Sequence, residues 1–219
     1  ATGHTIRYQY DVNGNRISIQ DTSGVPVTFT YDALNRVSGA ANAVSSKTYA
    51  YDANGNRTTE TTASGKTTGY VYDAANRLAA IVNAAGDSTK FTYDANGNQT
   101  SMTDALGNTA TMQYDALDRV TNETNAAGET TTYTYDEVGN LVTMAQPNGN
   151  VIIYSYDARD RRITVTDEIG MVVHMTYDKN SNRLSMTDGN GNTIHTEYDA
   201  LDRPTVTVSY THLRAHETR

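Results

Sequence analysis

Large side chains recur along the chain in pairs, with one small or polar residue between the two members. The second member is the tyrosine of a Tyr-Asp pair, and in nine of ten cases the first is Tyr, Phe or Met: Tyr8, Phe29, Tyr49, Tyr70, Phe91, Met112, Tyr133, Tyr154 and Met175. Because residues i and i+2 of a strand lie on the same face, this spacing predicts strands with one apolar face. Threonine, valine, isoleucine and tyrosine dominate these stretches, as strands prefer.

The Tyr-Asp pairs are almost evenly spaced. They are Tyr10-Asp11, Tyr31-Asp32, Tyr51-Asp52, Tyr72-Asp73, Tyr93-Asp94, Tyr114-Asp115, Tyr135-Asp136, Tyr156-Asp157, Tyr177-Asp178 and Tyr198-Asp199. The intervals between the tyrosines are 21, 20 and then 21 residues throughout. A near-constant period is the signature of a repeat array, so we predict ten repeats in one array over residues 1–207.

The turn after each Tyr-Asp pair has two alternating forms, which we call Gly-Asn loops and Arg loops. Gly-Asn loops read Tyr-Asp-x-x-Gly-Asn and contain Gly14, Gly55, Gly97 and Gly139, with Ser181 in the fifth. Arg loops read Tyr-Asp-x-x-Asn/Asp-Arg. We interpret the Gly-Asn loop as a three-residue hairpin loop with a left-handed glycine, and the Arg loop as a two-residue loop. The aspartate is expected to bind backbone amides just ahead of it.

This interpretation places an arginine opposite the tyrosine in eight of the ten hairpins. The pairs are Tyr10 with Arg16, Tyr51 with Arg57 and Tyr177 with Arg183 in Gly-Asn loops, and Tyr31 with Arg36, Tyr72 with Arg77, Tyr114 with Arg119, Tyr156 with Arg161 and Tyr198 with Arg203 in Arg loops. Gln99 and Leu141 are the exceptions. Each guanidinium would stack on the ring and bond the aspartate, contributing ~0.5–1 kcal/mol.

A second turn follows about eleven residues after each tyrosine. Its signature is Asp/Asn-x-x-Gly, as in Asn83 to Gly86 and Asn125 to Gly128. The repeat that begins at Tyr31 is one residue short, and its second turn, Asn42 to Ser46, lacks the glycine. A repeat is therefore strand, turn, strand, turn. Two or three residues both fit the second loop, and the choice decides which face later side chains take.

Composition limits the classes of function. The 219 residues carry a net charge of −8 without a basic run, which argues against a nucleic-acid partner. No stretch approaches the length of apolar sequence that spans a membrane. The chain has no cysteine and no tryptophan and only two phenylalanines, so we expect stability to come from contacts between neighbouring repeats rather than from a large core.

The last residues depart from the repeat pattern. Val208 to Thr218 reads VSYTHLRAHET and contains two of the five histidines. This stretch resembles a translated transposase adapter of a sequencing library. We therefore predict that residues 208–219 are a non-native tail, and that the array is an internal piece of a longer protein.

The Tyr-Asp pair followed by Gly-Asn-Arg or Leu-Asp/Asn-Arg resembles the YD repeats of Rhs proteins, the C component of Tc toxins, wall-associated proteins and teneurins. The resemblance covers residues 4–207. It implies an all-β fold of consecutive antiparallel hairpins that forms a curved, spiralling single-layer sheet, part of a hollow β-shell. It further implies a secreted or cell-surface bacterial protein, whose partners are the remaining repeats of the parent chain and an enclosed toxin. The Pro- and Asp-rich autocleavage segment of toxin-bearing members is absent from this sequence.

Candidate chemistry is weak, and we predict no catalytic, cofactor or metal site. The stretches beginning at Asp52, Asp94 and Asp188 resemble the start of a calcium-binding EF-hand loop, but lack its glycine at position six and its glutamate at position twelve. His174 and His195 occupy matching positions about 9.6 Å apart, without a third ligand. Carboxylate pairs recur with the period, which a single active site does not need.

The alternative function is binding. Aromatic hairpin repeats of about this length also build arrays that bind carbohydrate or choline, in which exposed rings stack on the ligand. Such arrays use tryptophan or doubled aromatics, whereas this chain has no tryptophan and pairs its tyrosines with arginines. We expect a non-catalytic shell segment, with adhesion or surface-glycan binding as the alternative.

Overall fold

The computed structural model describes residues 5–22, 24–170 and 172–210. The described residues form strands joined by turns, with no helix. The twenty strands are β1 Ile6–Tyr10, β2 Arg16–Asp21, β3 Val27–Tyr31, β4 Val37–Ala41, β5 Ser46–Tyr51, β6 Arg57–Thr62, β7 Thr67–Tyr72, β8 Leu78–Val82, β9 Ser88–Tyr93, β10 Gln99–Thr103, β11 Thr109–Tyr114, β12 Val120–Thr124, β13 Thr130–Tyr135, β14 Leu141–Ala145, β15 Val151–Tyr156, β16 Arg162–Thr166, β17 Val172–Tyr177, β18 Arg183–Thr187, β19 Thr193–Tyr198 and β20 Pro204–Tyr210.

The chain divides into two compact units, Ala1–Thr109 and Ala110–Arg219. In the first unit, β1 to β10 each pair with the next strand along the chain, always antiparallel. In the second, β11 to β20 do the same. Each unit is thus a run of consecutive hairpins, which confirms the predicted all-β hairpin fold.

Every Tyr-Asp turn is a three-residue loop. Its tyrosine pairs with the residue six positions later, as Tyr10 with Arg16 and Tyr31 with Val37. The third loop residue has positive φ: Gly14, Gly55, Gly97, Gly139 and Ser181 in Gly-Asn loops, and Asn35, Asn76, Asp118, Asp160 and Asp202 in Arg loops. The prediction for the loop glycines is confirmed. The two-residue prediction for Arg loops is wrong, because asparagine and aspartate adopt the left-handed conformation here and replace the glycine.

The predicted arginine partners in Arg loops are therefore wrong as well. The residues opposite Tyr31, Tyr72, Tyr114, Tyr156 and Tyr198 are Val37, Leu78, Val120, Arg162 and Pro204, not Arg36, Arg77, Arg119, Arg161 and Arg203. A loop one residue longer than expected moves each of these arginines out of the strand and into the loop. The pairs of Tyr10 with Arg16, Tyr51 with Arg57 and Tyr177 with Arg183 are present.

The second turns use the same loop. Val82 pairs with Ser88 around Asn83 to Asp87, and Gly86 has a φ of 91°. The turn in the short repeat is the exception: Ala41 pairs with Ser46, and the Asn42 amide donates to the Ser45 carbonyl at 2.8 Å. The 20-residue interval between Tyr31 and Tyr51 therefore comes from a two-residue loop at Ala43 and Val44.

A β-bulge lies beside every Tyr-Asp loop and beside none of the second turns whose register is described. Tyr114 pairs with Val120 but Gln113 pairs with Asn122, so Thr121 is the additional residue. The ladder between β12 and β13 has no such shift. Since a bulge bends its strand and increases the local twist, each hairpin is deformed at its Tyr-Asp end.

The sheet in each unit has little core. Among the described residues, Met175 is the buried apolar side chain, and Ser18 and Ser185 are the buried polar ones. The predicted shortage of core is thus present in the fold. The ten tyrosines at the strand ends are half-buried except for the exposed Tyr10, because neighbouring repeats cover them.

Candidate functional site at the repeat junctions

The aspartate of each Tyr-Asp pair, which we call the corner aspartate, closes its own loop. In all ten repeats its Oδ1 accepts the backbone N–H of the residue four positions ahead, at 2.8–3.1 Å. Its own N–H donates to the carbonyl of that residue at 2.9–3.0 Å. Oδ2 accepts from the side chain four positions ahead, an asparagine in Gly-Asn loops and an arginine in Arg loops, as Asn15 to Asp11 at 3.0 Å and Arg36 to Asp32 at 2.7 Å.

These contacts lower the pKa of all ten corner aspartates. For Asp157, the hydrogen bond from the Arg161 side chain is the largest cause and brings the pKa to about 2. Around Asp94 and Asp136, partial burial acts in the opposite direction, but the hydrogen bonds together outweigh it. A carboxylate that accepts several N–H groups is stabilised in its charged form, so these aspartates are structural acceptors.

Each Arg loop with a following repeat is connected forward by its arginine. The guanidinium of Arg161 bonds Asp157 through Nε at 2.7 Å, lies 4.8 Å from the ring centroid of Tyr177 and donates from Nη1 to the Asp178 carbonyl at 2.6 Å. The same set of contacts is made by Arg36 with Tyr51 and Asp52, Arg77 with Tyr93 and Asp94, and Arg119 with Tyr135 and Asp136. These arginines therefore stack on the tyrosine of the next repeat. The predicted stacking on the tyrosine of their own repeat is wrong.

Gly-Asn loops are connected forward by a different contact. The side-chain amide of Asn56 bonds its own Asp52 and also donates to Oδ1 of Asn76, the left-handed residue of the next Arg loop, at 2.9 Å. Equivalent bonds run from Asn15 to Asn35, Asn140 to Asp160 and Asn182 to Asp202, at 2.6–3.1 Å. The acceptor is the side chain that distinguishes Arg loops from Gly-Asn loops at that position. A glycine there has no oxygen to offer.

The tyrosine of the Tyr-Asp pair connects backward. In eight repeats its hydroxyl donates to the carbonyl of the first strand residue after the preceding loop, as Tyr93 to Leu78 at 2.8 Å. The others are Tyr31 to Arg16, Tyr51 to Val37, Tyr72 to Arg57, Tyr135 to Val120, Tyr156 to Leu141, Tyr177 to Arg162 and Tyr198 to Arg183, at 2.7–3.3 Å. The tyrosine thus joins two repeats, a role that its place beside the aspartate does not reveal.

Three arginines within strands add ring contacts. Arg57 lies 5.5 Å from the ring of Tyr49 and 4.7 Å from that of Tyr70, one repeat further on. Arg16 contacts Tyr8 and Phe29 in the same way, and Arg162 contacts Tyr154. Arg183 makes no such ring contact within the described part of the chain. The sequence places an arginine opposite Tyr10 and Tyr51, but these arginines stack two residues back along the strand.

The two loop forms therefore alternate because their contacts are complementary. An Arg loop supplies a guanidinium to the Gly-Asn repeat that follows, and a Gly-Asn loop supplies an amide to the Arg loop that follows. The sequence carries a signal for this arrangement. The interval is 21 residues whichever form comes first, so the two loops must have equal length unless another turn compensates.

Neither metal nor catalytic chemistry is assembled among the described residues. No three His, Asp or Glu side chains there converge on a common point. His174 lies opposite Thr164 and Thr187 in its strand ladder, and the His195 ring contacts Tyr210 edge-on at 5.9 Å. The carboxylates of the calcium-like loops accept backbone and asparagine N–H groups. The described residues also include no helix that could cross a membrane.

The fold and its junctions define a class of protein: an array of β-hairpin repeats joined corner to corner by side chains with a structural role. A family model for the teneurin YD-shell matches residues 56–175, and the model for the RHS repeat matches residues 10–47, 31–67 and 177–211. Since the first match covers more than half of the 219 residues, the chain belongs to the YD-shell family. It is a stretch of structural shell repeats.

Solved structures have a similar fold. The crystal structure of TcdB2-TccC3-TEV is 15% identical over 91% of this chain, with a TM-score of 0.53. A Tc holotoxin pore of Photorhabdus luminescens is 15% identical over 91% of this chain, with a TM-score of 0.44. This chain spans only 14% of the length of the first and 15% of the second. No curated protein matches the sequence.

Proposed function

We propose that this chain is a non-catalytic part of the wall of a hollow shell, and that the shell encloses a toxin or effector carried elsewhere in the parent protein. The parent protein would be bacterial and secreted or exposed at the cell surface. The supporting observation is that the same polar corner recurs in each repeat and joins it to the next. Such contacts extend a sheet without creating a single reaction centre.

The single-layered sheet in each unit also favours a wall. A wall needs two broad faces and little interior, and nearly every side chain here is half-buried or exposed. Stability then resides in contacts between neighbours, as in other linear repeat arrays. Hydrogen bonds from arginine, asparagine and tyrosine side chains supply these contacts at each corner.

The binding alternative is not supported by the ring geometry. Stacking on a sugar or a quaternary ammonium group requires an open ring face. One face of Tyr51, Tyr93, Tyr135 and Tyr177 is covered by a guanidinium at 4.5–4.8 Å. We therefore keep the structural role as the proposal.

Protease protection in the parent protein tests this function. The parent would be prepared with the region that follows this segment, carrying a protease site in that region. We expect the site to resist cleavage in the intact protein and to be cut once the wall is weakened by combining Arg77→Asn, Arg119→Asn and Arg161→Asn. Circular dichroism monitors whether the sheet remains folded. Rapid cleavage in the intact parent, at the rate of the denatured protein, would refute enclosure.

A further inference from the structure

The outer edges of β1 and β20 have no strand partner within the described part of the chain. β1 pairs with β2 alone, and β20 pairs with β19 alone. Every residue of both strands is exposed. An unpaired edge presents a row of free N–H and C=O groups and so is a template for another strand. The side chains next to these two edges determine which strand fits.

The edge at β20 carries the forward half of an Arg-type junction. Arg203 bonds Asp199 through Nε at 2.7 Å and Nη2 at 2.6 Å, as the internal arginines bond their own corner aspartates. Its side chain is 72% exposed, compared with 20–31% for Arg36, Arg77, Arg119 and Arg161. The difference arises because no described repeat follows to place a tyrosine ring against the guanidinium. Arg203 is thus held ready in the geometry that the internal arginines use.

The edge at β1 carries the receiving half. Tyr10 is 60% exposed, and its hydroxyl donates to no described carbonyl, whereas eight later tyrosines bond the preceding repeat. Asp11 opens a Gly-Asn loop, the loop form that receives the arginine at all four internal Arg-type junctions. The two edges therefore differ in form and complement each other.

We propose that β20 of one copy of this chain binds β1 of a second copy, head to tail, and completes an Arg-type junction between them. The guanidinium of Arg203 stacks on the Tyr10 ring of the second copy and donates to the Asp11 carbonyl. The Tyr10 hydroxyl donates in return to the Pro204 carbonyl. By equivalence with β18 and β19, in which Met186 lies opposite Ile194, the register places Thr207 opposite Ile6.

Head-to-head and tail-to-tail arrangements lack these contacts. Two β20 edges bring two Arg203 cations together, and two β1 edges bring two tyrosines without an arginine. The association is therefore heterologous and leaves one free edge of each kind on every dimer. The internal junctions provide the reason for a second copy as the occupant, since the contact continues an interface already present four times. This inference goes beyond the shell function and does not depend on it.

Sedimentation equilibrium of the full chain over a range of concentrations tests the proposal. We expect association that weakens about tenfold for Arg203→Asn and for Tyr10→Leu. Asn preserves the loop, because asparagine bonds the corner aspartate at this position in Gly-Asn loops. The double variant should weaken less than the product of the two, because both remove one contact. Arg77→Asn, which removes an internal contact, serves as the matched control and should leave association unchanged. A monomer at every concentration, or Arg203→Asn associating as the parent does, would overturn the proposal.

Disulfide trapping tests the direction and the register. The chain has no cysteine, so Ile6→Cys and Thr207→Cys can be prepared as separate single-cysteine proteins. Mixed under oxidising conditions, they should form a disulfide between the two variants faster than either forms one with itself. Thr205→Cys mixed with Ile6→Cys is the control with a shifted register and should react more slowly. Faster reaction of either variant with itself would contradict a head-to-tail arrangement.

Discussion

The guanidinium of Arg119 lies 4.5 Å from the ring centroid of Tyr135, the tyrosine of the following repeat. Its Nη1 donates to the Asp136 carbonyl at 3.3 Å and would lie 3.8 Å from a Cβ added to Gly139. Tyr114, the tyrosine of its own repeat, instead lies opposite Val120. An Arg loop therefore bonds its own corner aspartate and reaches forward to the next repeat.

A double-mutant cycle between Arg119→Ala and Tyr135→Leu should report this contact. We expect a coupling free energy of about 0.5–1.5 kcal/mol from urea unfolding, because the pair is half-buried and stacked. The same cycle with Tyr114→Leu is the control, and its coupling should stay within ~0.3 kcal/mol. Stronger coupling to Tyr114 than to Tyr135 would restore the contact within one repeat and refute the contact between repeats.

The tyrosine hydroxyl should have a measurable effect of its own. Tyr93→Phe keeps the ring but removes the 2.8 Å bond to the Leu78 carbonyl in the preceding repeat. We expect a loss of ~0.5–1.5 kcal/mol in the free energy of unfolding, the usual contribution of one such bond. Tyr154→Phe is the matched control, because the Tyr154 hydroxyl bonds no described residue, and it should be nearly neutral. Equal effects at both positions would show that the hydroxyl bond does not support the junction.

The sequence was sufficient for the strands, the period and the left-handed loop glycines, because these follow from local pattern and backbone preference. It failed at the Arg loops for a local reason. Asn35 was taken as a strand-side residue, although asparagine is one of the few non-glycine residues that adopt positive φ readily. A one-residue error in loop length then moved Arg36 to the wrong position. The contacts of Arg36 with Tyr51 and of Asn15 with Asn35 join residues 15–20 positions apart, which no local pattern encodes.

Ser181 is the one left-handed position in a Gly-Asn loop that is not glycine, with a φ of 74°. Ser181→Gly should therefore stabilise the chain by about 0.5 kcal/mol, since glycine adopts this conformation without the Cβ penalty. The Arg161 Nη1 to Ser181 Oγ contact at 3.5 Å is long, so its loss should offset little. The reverse change, Gly139→Ser, should destabilise, as thermal unfolding would show. A stabilising effect of Gly139→Ser would contradict the conformational argument.

The stability should fall in acid. Each corner aspartate has a lowered pKa in the folded chain, so it stabilises the fold above its unfolded value of roughly 3.9 and loses this contribution as the pH drops towards the folded value. For Asp157 that folded value is about 2. Urea midpoints should therefore be nearly constant from pH 7 to about pH 5 and decline steadily below about pH 4. Asp157→Asn should be less stable at neutral pH and show a smaller decline. A midpoint that rises on acidification would reverse the assigned sign.

The forward connection can be separated from the closing of the loop by changing arginine to asparagine. Asparagine at this position bonds the corner aspartate in every Gly-Asn loop, so Arg77→Asn preserves the loop but removes the Tyr93 stacking and the bond to the Asp94 carbonyl. We expect a loss of about 1–2 kcal/mol in the free energy of unfolding. Arg203→Asn is the same change in the same loop form, where no described repeat follows. At concentrations at which the chain is monomeric, it should change stability by ~0.3 kcal/mol or less. Were both variants equally destabilised, arginine would be acting within its own loop, and the alternation of loop forms would lose its physical basis.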